Sequence, residues 1–174
     1  MLRRGRPYGR GRGGKAPEHP DSSEAARRAG LLLLSRRDYA CAELAAKLAA
    51  AGYAPAAAAE AVVALQEERL LDDARFLDNF VRAHAGRGQG PGRIRQELGQ
   101  LGFTAATVDE ALASGPDFTA LCREVRARKF GAQPPASWAE RGRQGRFLQY
   151  RGFSSDDIRL ATGQDPDISE DHTE

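Results

Sequence analysis

Asp72 and Asp73 are adjacent carboxylates, and paired carboxylates invite an acid–base reading. Neighbouring residues on a helix point apart, so these two do not converge on one atom. They stand just ahead of an apolar run, where acidic side chains suit a helix N-terminus. The stretch from Gly86 to Gly92 (GRGQGPG) contains G-x-G-x-G, a pattern that can cradle phosphate. No strand pattern precedes it, so it reads as a hinge between helices instead. His19 and His172 lie near the chain ends, and His84 has no histidine or cysteine at ligand spacing, so neither metal nor cofactor is expected. Cys41 shares a face with Leu44 and Leu48, and Cys122 adjoins Leu121 near Val125. Both read as buried thiols of a reduced, cytoplasmic protein. No nucleophile–base pair is present, and an enzymatic role has no support.

The remaining chemistry is that of binding. Residues 1 to 15 hold six basic side chains and no acid, and residues 164 to 174 hold five acids and no Lys or Arg. Between them the charge separates: residues 16 to 81 sum to −4 and residues 82 to 163 to +5. An anionic partner would be felt by the later half. The candidate contact set there is Arg93, Arg95, Arg126, Arg128, Lys129, Arg141, Arg143, Arg146 and Arg151. Arginine meets carboxylates and phosphates in a bidentate fork. A solvated helix face is the rival reading. Phe147, Trp138 and Tyr150 could stack on bases, but core packing is the expectation for all three. The arginine/glycine-rich start would hold single-stranded DNA weakly and salt-dependently. A solubilising extension is its rival.

These side chains must be positioned by helices. Leu48 to Tyr53 (LAAAGY), Leu98 to Phe103 (LGQLGF) and Leu148 to Phe153 (LQYRGF) repeat leucine, glycine and an aromatic, with Gly52, Gly102 and Gly152 spaced 50 residues apart. That period marks an array of repeated units. Each glycine is predicted to end a helix at positive φ, with the following aromatic folding back onto the leucine. A second helix then begins: Pro55 suits a first turn, Thr104 a cap, and Ser154 with Asp157 a capping box. Nine helices are predicted: Glu24–Ser35 with Ser23 as cap, Asp38–Ala51, Pro55–Arg69, one from Asp72–Asp73, Gly90–Leu101, Thr104–Ala113, Asp117–Phe130, Trp138–Arg151 and Ser154–Thr162. The all-α chain divides into a disordered head (1–22), three-helix repeats at 23–70, 71–114 and 115–163, and an acidic tail (164–174). No run of apolar residues is long enough to span a bilayer, and no secretory signal is expected.

Several strings resemble the bacterial RecX family: Leu70 to Phe76 (LLDDARF), Gly90 to Leu98 (GPGRIRQEL), Lys129 to Gly131, Arg146 to Leu148, and Arg151 to Ser154. The resemblance covers about residues 27 to 162; the head and tail lie outside it. It implies three tandem three-helix units in an elongated, curved monomer. It further implies a partner, the RecA recombinase filament on single-stranded DNA. RecX proteins restrain its extension, ATP hydrolysis, strand exchange and stimulated repressor cleavage, and so act in DNA repair, recombination and the SOS response. The chain departs from the pattern at Gly142 and Gly145, each costing a helix about 1 kcal/mol relative to alanine. A stand-alone helical DNA-binding protein remains the alternative, because three-helix units resemble helix-turn-helix folds.

Overall fold

The computed structural model describes residues 16–163. Those residues form nine α-helices and no strand: α1 Ser23–Leu34, α2 Cys41–Ala50, α3 Pro55–Glu67, α4 Asp73–Gly86, α5 Pro91–Gln100, α6 Ala105–Ala113, α7 Phe118–Phe130, α8 Trp138–Tyr150 and α9 Ser155–Thr162. Among the described residues no helix is long and apolar enough to cross a membrane. The expected acidic tail, and the head as far as residue 15, lie outside the described residues.

The helix ends follow from local chemistry. Gly52, Gly102 and Gly152 have φ of 102°, 93° and 90°. At each, the glycine N–H donates three residues back and the aromatic N–H five back. Gly52 reaches Ala49 at 2.9 Å and Tyr53 reaches Leu48 at 3.2 Å, with the same pairs at Gly102–Gly99, Phe103–Leu98, Gly152–Gln149 and Phe153–Leu148. This is the Schellman pattern the repeat predicts. Thr104 accepts the Thr107 N–H and Ser154 the Asp157 N–H, and Pro55 opens α3. The α1 cap is Ser22, one residue before the expected Ser23.

The described residues fold as two compact units, divided after Asp73. In the first, Leu44, Leu48, Ala58, Ala61 and Leu65 form the core with Ala26, Tyr39, Val62 and Leu71. Gly30 brings α1 close to α3: a Cβ there would stand 2.9 Å from Leu65. The Ala54 N–H donates to the Pro20 carbonyl at 2.9 Å, so the last residues of the expected head are tied to this core. The Asp73 carboxylate accepts the Cys41 N–H at 2.8 Å. It thus satisfies an orphan donor at the start of α2 as well as opening α4. Burial and that carboxylate push the half-buried Cys41 thiol up to about 12.

The second unit holds two helix triplets. Phe76, Leu77, Val81, Ile94, Leu98, Val108 and Leu112 are buried in α4–α6. His84 is turned into this packing, stacked on Phe80 with Nε2 3.1 Å from Glu97. In α7–α9, Cys122, Val125, Leu148, Phe153 and Ala161 form the core, with Leu121, Phe147 and Ile158 against it.

A backbone joint links these two triplets. The Gly90 N–H donates to the Arg151 carbonyl at 2.8 Å and the Gly92 N–H to the Gly152 carbonyl at 2.9 Å. A Cβ on Gly90 would lie 2.4 Å from the Phe153 nitrogen, and one on Gly152 2.5 Å from the Arg93 nitrogen. Only glycine permits such an approach. The Gly86–Gly92 stretch is therefore not the expected hinge. Gly88 ends α4 at φ 76°, Gly90 is the N-cap of α5, and the segment is a packed junction.

Candidate functional site

The end of α7, the middle and end of α8 and the turn after α4 place basic and aromatic side chains on one surface of the second unit. α7 ends in Arg128, Lys129 and Phe130, and basic side chains suit a helix C-terminus. The Phe130 ring meets Phe147 of α8 edge-on, with centroids 5.3 Å apart. The Arg143 guanidinium lies 5.9 Å from the Phe130 ring, and that of Arg151 lies 4.8 Å from Phe147. Both distances fall within cation–π range. The four side chains form a ladder, Arg143–Phe130–Phe147–Arg151.

At its end the ladder opens into a cavity of about 180 Å³ lined by Arg87, Gly88, Val125, Arg128, Lys129, Phe147 and Arg151. Arg151 Nη1 donates to the carbonyls of Arg87 and Gly88 at 3.1 and 3.3 Å, which fixes one edge of its guanidinium. Arg128 pairs with Glu124. The structure shows Lys129 and Arg87 exposed, with no ion pair among the described residues. Four cations line this cavity beside Val125 and Phe147, an arrangement whose chemistry suits a phosphate or carboxylate. Arginine supplies the bidentate contact and lysine a point charge.

The sequence-predicted set divides. Arg128, Lys129, Arg143 and Arg151 come together on this surface, and Arg146 stays exposed on α8. Arg126 is 6% exposed and donates to the carbonyls of Gln133 and Ala132 at 2.9 and 3.0 Å. It therefore leaves the surface set and holds the linker before α8. Arg141 is half-buried, and its Nε has no partner among the described residues. Arg95 lays two N–H groups on Asp109 at 2.9 and 2.7 Å, joining α5 to α6. Arg93 pairs with Glu97 at 3.0 Å and lines a separate polar cavity with Gln96, Gln100, Gln149 and Tyr150.

Sequence reasoning missed Arg87, whose signal was its place beside the glycine that ends α4. It also assigned all three α8 aromatics to the core. Phe147 does pack against the core, but Trp138 is 79% and Tyr150 80% exposed. α8 buries only Gln144 and Leu148, and the other two rings lie on its outer side. Among the described residues no group of His, Cys, Asp and Glu is arranged to hold a metal ion.

Comparison with known proteins places these helices in a family. Residues 72–112 match the model described as RecX, second three-helix domain, and residues 117–162 match RecX, third three-helix domain. Regulatory protein RecX of Halorhodospira halophila is 48% identical over 141 residues, covering 80% of this chain and 88% of its own. The Pseudomonas fluorescens protein of the same name is 44% identical over 149 residues, covering 84% and 96%. The crystal structure of RecX from Lactobacillus salivarius shares the fold, with a TM-score of 0.69 at 20% identity over 80% of this chain and 93% of that one.

Proposed function

The chain belongs to the RecX family of regulatory proteins, and from that premise we propose that it binds the RecA recombinase assembled on single-stranded DNA and restrains it. The restraint would fall on ATP hydrolysis, strand exchange and stimulated repressor cleavage, and it would act by binding rather than by chemistry. The proposed site of action is the cytoplasm.

The observation that carries this reading is the basic ladder with its terminal cavity. Arg87, Arg128, Lys129, Arg143 and Arg151 come from three parts of the second unit and face one surface. A recombinase–DNA filament offers both acidic side chains and phosphates. Arg151, held by carbonyls and a ring, and Arg143, held by a ring, would meet such groups with little further ordering. They also raise the rate of encounter at low salt.

The test is RecA's DNA-dependent ATPase with and without the full chain. Inhibition at micromolar protein in low salt is expected. Charge reversal of Lys129 and Arg128 to Glu should weaken it about tenfold, equivalent to about 1.4 kcal/mol. Full ATPase at micromolar excess of the natural chain would remove the proposal.

A further inference from the structure

We propose that the outward face of α8 is a stacking track for single-stranded nucleic acid. Ala139, Arg143, Arg146 and Tyr150 follow one another at i, i+4, i+7 and i+11, which is a single stripe of a helix. Trp138 stands at its head and Gln149 beside its foot, and all six residues are exposed. A tryptophan and a tyrosine this open are unusual, because both rings are normally largely buried.

The α8 side chains of this face carry one sign of charge, and Glu97 of α5, which lines the cavity at the foot beside Gln149 and Tyr150, is paired with Arg93. Glu140, the acid of α8, turns back to the helix start, where its carboxylate accepts the Ala136 N–H at 2.9 Å. The face carries no aliphatic side chain larger than Ala139, and its apolar area is the two open rings, set apart along the helix by Arg143 and Arg146. Gly142 lies between Trp138 and Arg146. A Cβ there would meet only the Arg146 Nη1, at 3.6 Å, so packing does not require glycine. Glycine in a helix interior weakens it. The gain is a low, bare stretch of helix between ring and guanidinium, across which a flat base can lie. Aromatic rings accept any base by its π-face, and guanidinium groups take the intervening phosphates. The track would therefore be tolerant of sequence and sensitive to salt.

This reading needs no recombinase and can fail separately from the one above. Trp138 is the single tryptophan of the chain, so the intrinsic emission of the full protein reports on this face alone. The full chain is titrated with fluorescein-labelled oligothymidylate at low salt, and tryptophan emission and label anisotropy are followed together. The expected result is a saturable quench that tracks the anisotropy. Tyr150→Ala, at an exposed position, should keep the helical circular dichroism and weaken binding about tenfold. A rise in anisotropy with unchanged tryptophan emission would place the strand elsewhere, on the arginine-rich N-terminal residues for instance, and would overturn the proposal. No rise at all would overturn it too, as would an equal quench by heparin, which has charge but no bases.

Discussion

The turns at Gly102 and Gly152 are built alike and surrounded differently. Both glycines take positive φ, and both following aromatics donate to a leucine carbonyl five residues back, at 3.3 and 3.2 Å. A Cβ on Gly102 would meet nothing within 4 Å. A Cβ on Gly152 would strike the backbone of Arg93 at 2.5 Å. One turn only ends a helix, whereas the other also receives the start of α5. The same letter in the same repeat position thus answers to two physical demands, one local and one set by residues about sixty positions away.

Alanine separates those demands. Gly102→Ala introduces strain at positive φ, about 1–2 kcal/mol. Gly152→Ala adds a collision with rigid backbone to the same strain, and overpacking of that kind brings a further 1–3 kcal/mol or so. Urea unfolding should therefore show a clearly larger fall in midpoint for Gly152→Ala, with the slope unchanged. Equal losses would mean that the Arg93 backbone moves aside freely and that the joint is not a fixed feature.

The contrast also shows what could be read before the fold was known. Helix ends were legible because the Schellman turn is local: leucine, glycine and aromatic lie within six residues and carry their own hydrogen bonds. The caps at Thr104 and Ser154 were legible for the same reason. The joint was not. Gly90-Pro91-Gly92 reads as a helix start whether or not another backbone lies on it, and nothing near it in sequence names Gly152 as the partner. The basic surface was half legible. Arg128, Lys129, Arg143 and Arg151 were picked out by charge, but Arg87 joins them only through the cavity beside Gly88. Arg126 carries the same charge in sequence and is spent on two linker carbonyls. Trp138 and Tyr150 were assigned to the core because large rings are usually buried. The α8 helix places them outside because its buried positions are Gln144 and Leu148.

The residue just before each turn glycine extends the comparison. It is Ala51 in the first copy, Leu101 in the second and Arg151 in the third. Only the arginine can bridge to the carbonyls of Arg87 and Gly88 while covering Phe147. Arg151→Leu, which installs the residue of the second copy, should cost about 1–2 kcal/mol through lost hydrogen bonds and ring contact. It should also lower the salt dependence of partner binding, because one cation leaves the cavity rim. Thermal melting checks the first effect and binding at two ionic strengths the second. A melting temperature unchanged from the natural chain would show that the bridge contributes nothing to the joint.

The smallest expected effect has the opposite sign. Gly92 and Gly142 are also 50 residues apart, in the first turn of α5 and the second turn of α8. A Cβ on Gly92 would stand 3.0 Å from the Gly152 carbonyl oxygen, so a side chain there demands that the joint yield by a few tenths of an ångström. No such demand falls on Gly142. Gly142→Ala should therefore raise stability by about 0.5–1 kcal/mol, as alanine does in an open helix interior, while Gly92→Ala lowers it by a similar amount. Opposite shifts in urea midpoint from the same substitution at matched positions would show that the joint governs one glycine and not the other. Two losses would mean that α8 is constrained at Gly142 by something other than packing space. A glycine that can be replaced with a gain in stability, on a face lined with exposed rings and arginines, is better explained by what lies against that face than by the fold beneath it.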